Sequence, residues 1–229
     1  MSTPIRPVRI IERGASKEDA DFVVVLFHGF GADGYDLAPI ADVMQDMGVP
    51  STVRYLFPEA APRLCNVEEM YGNTPSWYDY VAWFPTVKVQ STVDQAIQGV
   101  LELVDQIVQS GIPHERIVLG GFSQGGALTF DAALKSGLPF AGLLGMSCDF
   151  PMSYPDAQTR RYRMFLGHGT SDMMVPLPAT ADCVEKLQKA GHDITLRHYN
   201  GLDHAISRSE LRDVAEFLIE RYKQQVEQP

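Results

Sequence analysis

Ser123 is the residue around which chemistry can be built in this chain. It stands in Gly121-Phe122-Ser123-Gln124-Gly125, a Gly-x-Ser-x-Gly pattern. The apolar run Ile117-Val118-Leu119 enters it, and Ala127-Leu128-Thr129-Phe130-Asp131-Ala132-Ala133-Leu134, a helical composition, leaves it. Strand, sharp turn and helix is the setting that displays a serine Oγ as a nucleophile. The flanking glycines remove side chains that would collide with the neighbouring strand and helix. Phosphate binding is the competing chemistry for such a turn. A P-loop needs Lys then Ser or Thr after its last glycine, where this chain has Gly126-Ala127. The Gly-x-Gly-x-x-Gly spacing is also missed.

A serine hydroxyl attacks a carbonyl only with a base beside it and an acid to orient that base. In a parallel sheet such groups collect in loops at the carboxyl ends of strands. His114 precedes an expected strand, His192 sits in a helix-to-strand turn, and His198 lies inside a strand. His28 and His168 end strands within glycine loops and have a structural alternative. His204 follows the last expected strand and fits the chain order serine, acid, histidine. Asp172, after the strand Met164–Leu166, is the expected acid. Asp149 is the runner-up, and Asp203 is adjacent to His204 and expected to point away from it. The oxyanion of a tetrahedral intermediate needs two donors. Gln124 N–H, at a helix N-terminus, is one; Phe30 N–H, in His28-Gly29-Phe30-Gly31, is the other.

The elements that must position these residues alternate along the chain. Apolar runs predict strands at Val8–Ile11 (an edge, beside Pro4 and Pro7), Phe22–Phe27, Val53–Phe57, Ile117 onward, Phe140–Ser147, Tyr162–Leu166 and Ile194–Tyr199. Helices are expected around Leu37–Met47, over Ser91–Ser110 with a Ser91/Asp94 capping box, after Ser123, over Leu177–Ala190, and from a Ser207/Glu210 capping box to the C-terminus. Between Ala60 and about Val89 the periodicity fails, in a stretch rich in proline, asparagine and aromatics. It reads as a long loop that packs aromatics on the core and also serves function. The alternation predicts an α/β fold with a mainly parallel central sheet and helices on both faces, as one domain over residues 1–229.

Composition narrows the function classes. With 229 residues, 45% of them hydrophobic, the chain can bury a sizeable core. A net charge of -10 argues against nucleic-acid partners and anionic membrane surfaces. Cys65, Cys148 and Cys183 are an odd, widely spaced set, unlike a disulfide framework or a zinc site. No signal peptide and no bilayer-spanning run is visible. These features predict a soluble cytoplasmic protein, without membrane insertion, that needs no metal or organic cofactor.

The quoted motifs also carry a likeness. With Tyr55-Leu56-Phe57-Pro58-Glu59-Ala60-Ala61-Pro62, Pro75-Ser76-Trp77-Tyr78-Asp79, Gly167-His168-Gly169 and Val175-Pro176, the chain resembles the acyl-protein thioesterase/carboxylesterase family of α/β-hydrolases along most of its length. The resemblance implies Ser123, Asp172 and His204 as a triad, Phe30 and Gln124 as oxyanion donors, and Trp77 and Met174 as the border of an acyl groove. It implies hydrolysis of a small ester or thioester substrate without a cap domain. A depalmitoylating thioesterase acting on acylated protein is the alternative within enzymes, and a non-catalytic binding protein the alternative outside them. A homodimer is compatible with the family. Asp149 departs from the aromatic or apolar residue that some relatives carry, and so bears on acyl preference.

Overall fold

In the computed structural model, residues 3–67, 70–83, 86–148 and 160–228 are described. Strands β1 (Arg9–Gly14) and β2 (Phe22–Phe27) precede the short helices α1 (Gly34–Leu37) and α2 (Ile40–Asp46), and β3 (Val53–Glu59) follows. Two small antiparallel pairs come next, β4 (Pro62–Val67) with β5 (Met70–Pro75), and β6 (Tyr80–Trp83) with β7 (Thr86–Lys88). The chain continues through α3 (Gln90–Gln109), β8 (Ile117–Phe122), α4 (Gln124–Ser136), β9 (Gly142–Met146), β10 (Arg163–Gly169), α5 (Leu177–Lys189), β11 (Asp193–Tyr199) and α6 (Arg208–Tyr222). Seven strands form one sheet in the order β1-β3-β2-β8-β9-β10-β11. All neighbours in it pair in parallel except β1, which runs antiparallel to β3.

The sheet is covered on both faces because its central strands are apolar at every position. Successive residues of a strand point to opposite faces. Val23, Val25 and Phe27 join one core, with Val93, Val100 and Val104 of α3 and Leu128 of α4. Phe22, Val24 and Leu26 join the other, with Ile40 and Met44 of α2 and Val214, Phe217 and Leu218 of α6. Each fully buried side chain of this kind is worth about 1.5–3 kcal/mol. The helices are therefore held by the sheet, and the strand ends are fixed relative to one another.

Three local expectations are corrected. The segment from Ala60 to Val89 holds the two hairpin pairs in place of one structureless loop, while Trp77 and Tyr78 do pack into the core beside β2 and α3. β3 runs through Pro58, which pairs with Ile10 of the edge strand β1. α3 opens at Gln90 after Val89, and no side chain caps it. Asp94 instead takes hydrogen bonds from Gln90 Nε2 (2.9 Å) and Lys135 Nζ (2.5 Å), so the Ser91/Asp94 box is not made.

Among the described residues, no helix is long and apolar enough to cross a membrane. Cys148 is buried and Cys183 half-buried.

Candidate active site

Ser123 occupies a left-handed backbone position, φ 52° and ψ -118°, between β8 and α4. Such a conformation costs about 1–3 kcal/mol for a residue with a side chain and persists only where its surroundings enforce it. Here Ser123 N–H donates to Met146 O (3.0 Å) and Ser123 O accepts from Ala127 N–H (3.1 Å). Close packing of α4 on β2 completes the turn. A Cβ on Gly125 would lie 2.1 Å from Phe27 O, and one on Gly121 would lie 2.4 Å from Gly125 C. Both glycines of the sequence pattern are thus required by contact, and the serine is pushed out at the sheet's carboxyl edge.

The expected acid and base, Asp172 and His204, are hydrogen-bonded to each other. Asp172 lies in the turn after β10, with its side chain fully buried. Its Oδ1 accepts from Met174 N–H (2.9 Å) and Val175 N–H (2.8 Å), and its Oδ2 accepts from His204 Nδ1 (2.8 Å). Burial pushes the Asp172 carboxyl up. The bond from His204 and those from the Val175 and Met174 amides outweigh this and hold it below the usual carboxylate range. An ionised carboxylate only accepts, so His204 carries its proton on Nδ1 and presents Nε2 as a base. The loops that carry the two residues are stitched together by Thr170 N–H to Tyr199 O (3.0 Å) and Ser171 N–H to Leu202 O (2.9 Å). The Phe122 ring packs on His204 at 4.7 Å between centroids. No hydrogen bond joins Ser123 Oγ to His204 among the described residues. Catalytic contacts in empty sites are commonly long and tighten around substrate.

His28 and His168 have structural work. His28 Nδ1 donates to Gly29 O (2.7 Å) and its Nε2 accepts from Ala60 N–H (3.0 Å). His168 Nε2 donates to Val175 O (2.8 Å), and its Nδ1 accepts from Thr180 Oγ1 (3.3 Å). Burial lowers the pKa of both rings and keeps them neutral. Each fixes the shape of a loop that carries a candidate site residue.

The two candidate oxyanion amides share one frame. Gln124 N–H opens α4, where the first-turn amides lack intrahelical acceptors. The Gln124 side chain, which the sequence reading did not use, is buried. Its Oε1 accepts from Trp77 N–H (3.0 Å), and its Nε2 donates to Ser76 Oγ and Tyr78 O (3.0 Å each). Trp77 Nε1 in turn donates to His28 O (2.9 Å), and Gly31 N–H donates to Pro75 O (2.9 Å), so residues 75–78 also hold the loop that carries Phe30. This corrects the place expected for Trp77. It is 1% exposed, its ring lies edge-on to Phe27, and it braces the Phe30 loop from inside in place of bordering a groove. A buried indole needs a partner for its N–H, and the carbonyl of His28 supplies it. Met174 is 54% exposed beside Asp172, a surface position compatible with a groove edge. Asp149 lies outside the described residues.

Glu210 is a second difference from the sequence reading. Ser207 caps α6 by accepting from Glu210 N–H (3.1 Å), which is half of the expected capping box. The carboxyl does not reach back. It lies against Gly167 of β10, fully buried, with neither oxygen hydrogen-bonded among the described residues. Burial, with the nearby Asp213 charge adding to it, pushes its pKa up to about 7. Below the unfolded value of 4.5 both states hold the proton, and the buried acid carries no charge penalty. As pH rises through 4.5 to about 7, the unfolded chain releases the proton first and stability falls. Glu210→Gln therefore stabilises the protein at pH 8 by about 3 kcal/mol, and the gain fades below pH 5. Thermal melts at the two pH values check this. An equal shift in Tm at both would show that the carboxyl does not titrate in this way.

The chain is similar to known proteins along most of its length. It is 30% identical to the acyl-protein thioesterase 1 of Eremothecium gossypii over 223 residues, covering 93% of this chain and 92% of that one. The crystal structure of Arabidopsis thaliana SOBER1 superposes with a TM-score of 0.75 at 27% identity, over 88% of this chain and 99% of that one. Esterase PE8 shares the fold, with a TM-score of 0.77 at 23% identity, over 95% of this chain and 99% of that one. The phospholipase/carboxylesterase family model matches residues 9–221. A sheet of this topology, a serine on a strained turn and a match of that extent lead to one conclusion: the chain belongs to the phospholipase/carboxylesterase family, whose members have the α/β-hydrolase fold.

Proposed function

We propose that this protein is a serine carboxylesterase that hydrolyses small carboxylic esters through an acyl-enzyme. The observation that carries the reading is the 2.8 Å bond from His204 Nδ1 to the buried Asp172, made beside the strained Ser123 turn. His204 Nε2 takes the Ser123 proton as Ser123 Oγ attacks the carbonyl carbon, and the Phe30 and Gln124 amides receive the oxyanion. The C–O bond to the alcohol breaks, and the alcohol oxygen leaves with the proton from His204. Water, activated by the same histidine, then attacks the acyl-enzyme and returns Ser123 to its starting state. Each oxyanion donor contributes about 3 kcal/mol to the transition state.

A second reading is hydrolysis of acyl thioesters on proteins, supported by Met173 and Met174, exposed in the turn that carries Asp172. The relative in Eremothecium gossypii carries that name. A fluorophosphonate probe, which reacts only with an activated serine, is expected to label the wild type and not Ser123→Ala. Labelling of neither would leave a binding protein on a hydrolase fold. Rates on p-nitrophenyl acetate and butyrate above those on the palmitate and on an acylated peptide support the carboxylesterase; the reverse order supports the thioesterase.

A further inference from the structure

A pocket of about 390 Å³ opens beside His204, walled by Leu37 and Ile40 of the first two helices, Phe122 of the elbow, Ile206, and Leu211 of α6. Asp36, exposed on α1, supplies its one carboxylate. Ser123, Phe30, Gln124 and Met174 do not line it; it reaches the site through Phe122 and His204. It is thus separate from the candidate oxyanion donors and from the exposed methionine that fits an acyl path.

The direction of acyl transfer says what such a pocket receives. Around the tetrahedral carbon, the oxyanion lies at its donors, and the leaving oxygen must lie at the histidine that protonates it. His204, which must protonate the leaving oxygen, forms part of the wall of this pocket. We propose that it is a leaving-group subsite, and that it takes a short, bulky alcohol with a positively charged end. The branched apolar wall suits a compact alkyl body. Asp36 at the mouth, on a chain of net charge -10, favours a cation and disfavours an anion. When the C–O bond breaks, its electron pair stays on the alcohol oxygen and the proton comes from His204, so the step is balanced without a further reactant.

The proposal rests on the carboxylesterase reading, and the experiment separates the two. Three acetates share one acyl group: ethyl acetate, 3,3-dimethylbutyl acetate and acetylcholine, the last two being nearly equal in shape. They yield the same acetyl-enzyme, so a leaving-group subsite acts on acylation and is read in kcat/KM. Leu211→Trp, at a half-buried wall position, is expected to lower kcat/KM about tenfold for the two bulky esters and less than about twofold for ethyl acetate. Asp36→Asn is expected to lower it by up to about fivefold for acetylcholine and to leave 3,3-dimethylbutyl acetate unchanged. Leu211→Phe, a smaller fill, replaces the Trp variant if Tm falls.

An equal loss on all three esters would overturn the subsite. So would a Leu211→Trp variant whose p-nitrophenyl ester chain-length profile shifts, because the pocket would then hold the acyl group. A protein that is labelled by fluorophosphonate and hydrolyses p-nitrophenyl acetate, yet shows no variant-dependent difference, also overturns the subsite alone. A wild type that is neither labelled nor active on any ester overturns the carboxylesterase reading with it.

Discussion

Ser123→Ala is expected to lower hydrolysis of p-nitrophenyl acetate by about 10⁴- to 10⁶-fold, with a folded protein of unchanged or slightly raised Tm. The loss is large because the attacking atom is gone and His204 has no hydroxyl to activate. It stops short of the uncatalysed rate, because the oxyanion amides and the binding surfaces remain. Stability should hold or rise slightly because alanine bears the same strain at φ 52° as serine, and the Ser123 Oγ makes no hydrogen bond among the described residues that its removal would break. Ser123→Gly relaxes that backbone fully and should raise Tm further while remaining inactive. The check is initial rates beside thermal melts. A Ser123→Ala protein within tenfold of wild-type turnover would remove Ser123 from the chemistry.

Asp172→Asn is expected to cost about 10⁴-fold in kcat while the fold survives. The reason lies in how the carboxylate is shared. Oδ1 holds the turn by accepting from the Met174 and Val175 amides, and an asparagine oxygen can take over both bonds. Its NH₂ is then turned toward His204 Nδ1, where Oδ2 now accepts. Nδ1 must become the acceptor, the ring proton moves to Nε2, and Ser123 faces a nitrogen that cannot take its proton. Asp172→Ala loses the turn as well, so it should lower both activity and Tm. The contrast between the two variants separates orientation of His204 from support of the loop. Full activity in Asp172→Asn would shift the acid role to Asp149.

Most of the sheet and the candidate triad were legible in the sequence, for a specific reason. Phe22–Phe27 and Ile117–Val118-Leu119 are apolar on both faces, a pattern that a buried parallel strand imposes on every residue. Ser123, Asp172 and His204 could be singled out as candidates because each lies just after a strand, buried for the first two and an alternating edge strand for His204. The hairpins were not legible. β4 and β5 are interrupted by proline, glycine and asparagine, and β6 and β7 have only four and three residues, too few to show a period. The Gln124 side chain escaped for another reason. Its hydrogen bonds go to Ser76, Trp77 and Tyr78, 46 to 48 positions earlier, and no local spacing encodes them. Glu210 was misread because Ser-x-x-Glu signals a capping box, whereas the carboxyl turns inward over a strand position left open by Gly167. Trp77 was placed by likeness at a groove edge, and its burial follows from the His28 carbonyl that its indole satisfies.

The frame formed by residues 75–78 has one more consequence. Ser76 N–H donates to Ala61 O (3.3 Å) at the foot of the β4–β5 hairpin, and Val89 N–H donates to Asp79 O (2.8 Å) at the foot of β6–β7. Each hairpin is thus a closed excursion that leaves and rejoins the frame at nearly the same point. The tips beyond those feet can change length with the frame kept, whereas Tyr80 of β6, which packs on Phe30, and Arg63 of β4, which pairs with Asp79, are part of what holds it. The boundary for a graft therefore runs inside the pairs Ala61–Ser76 and Asp79–Val89 and spares Arg63 and Tyr80.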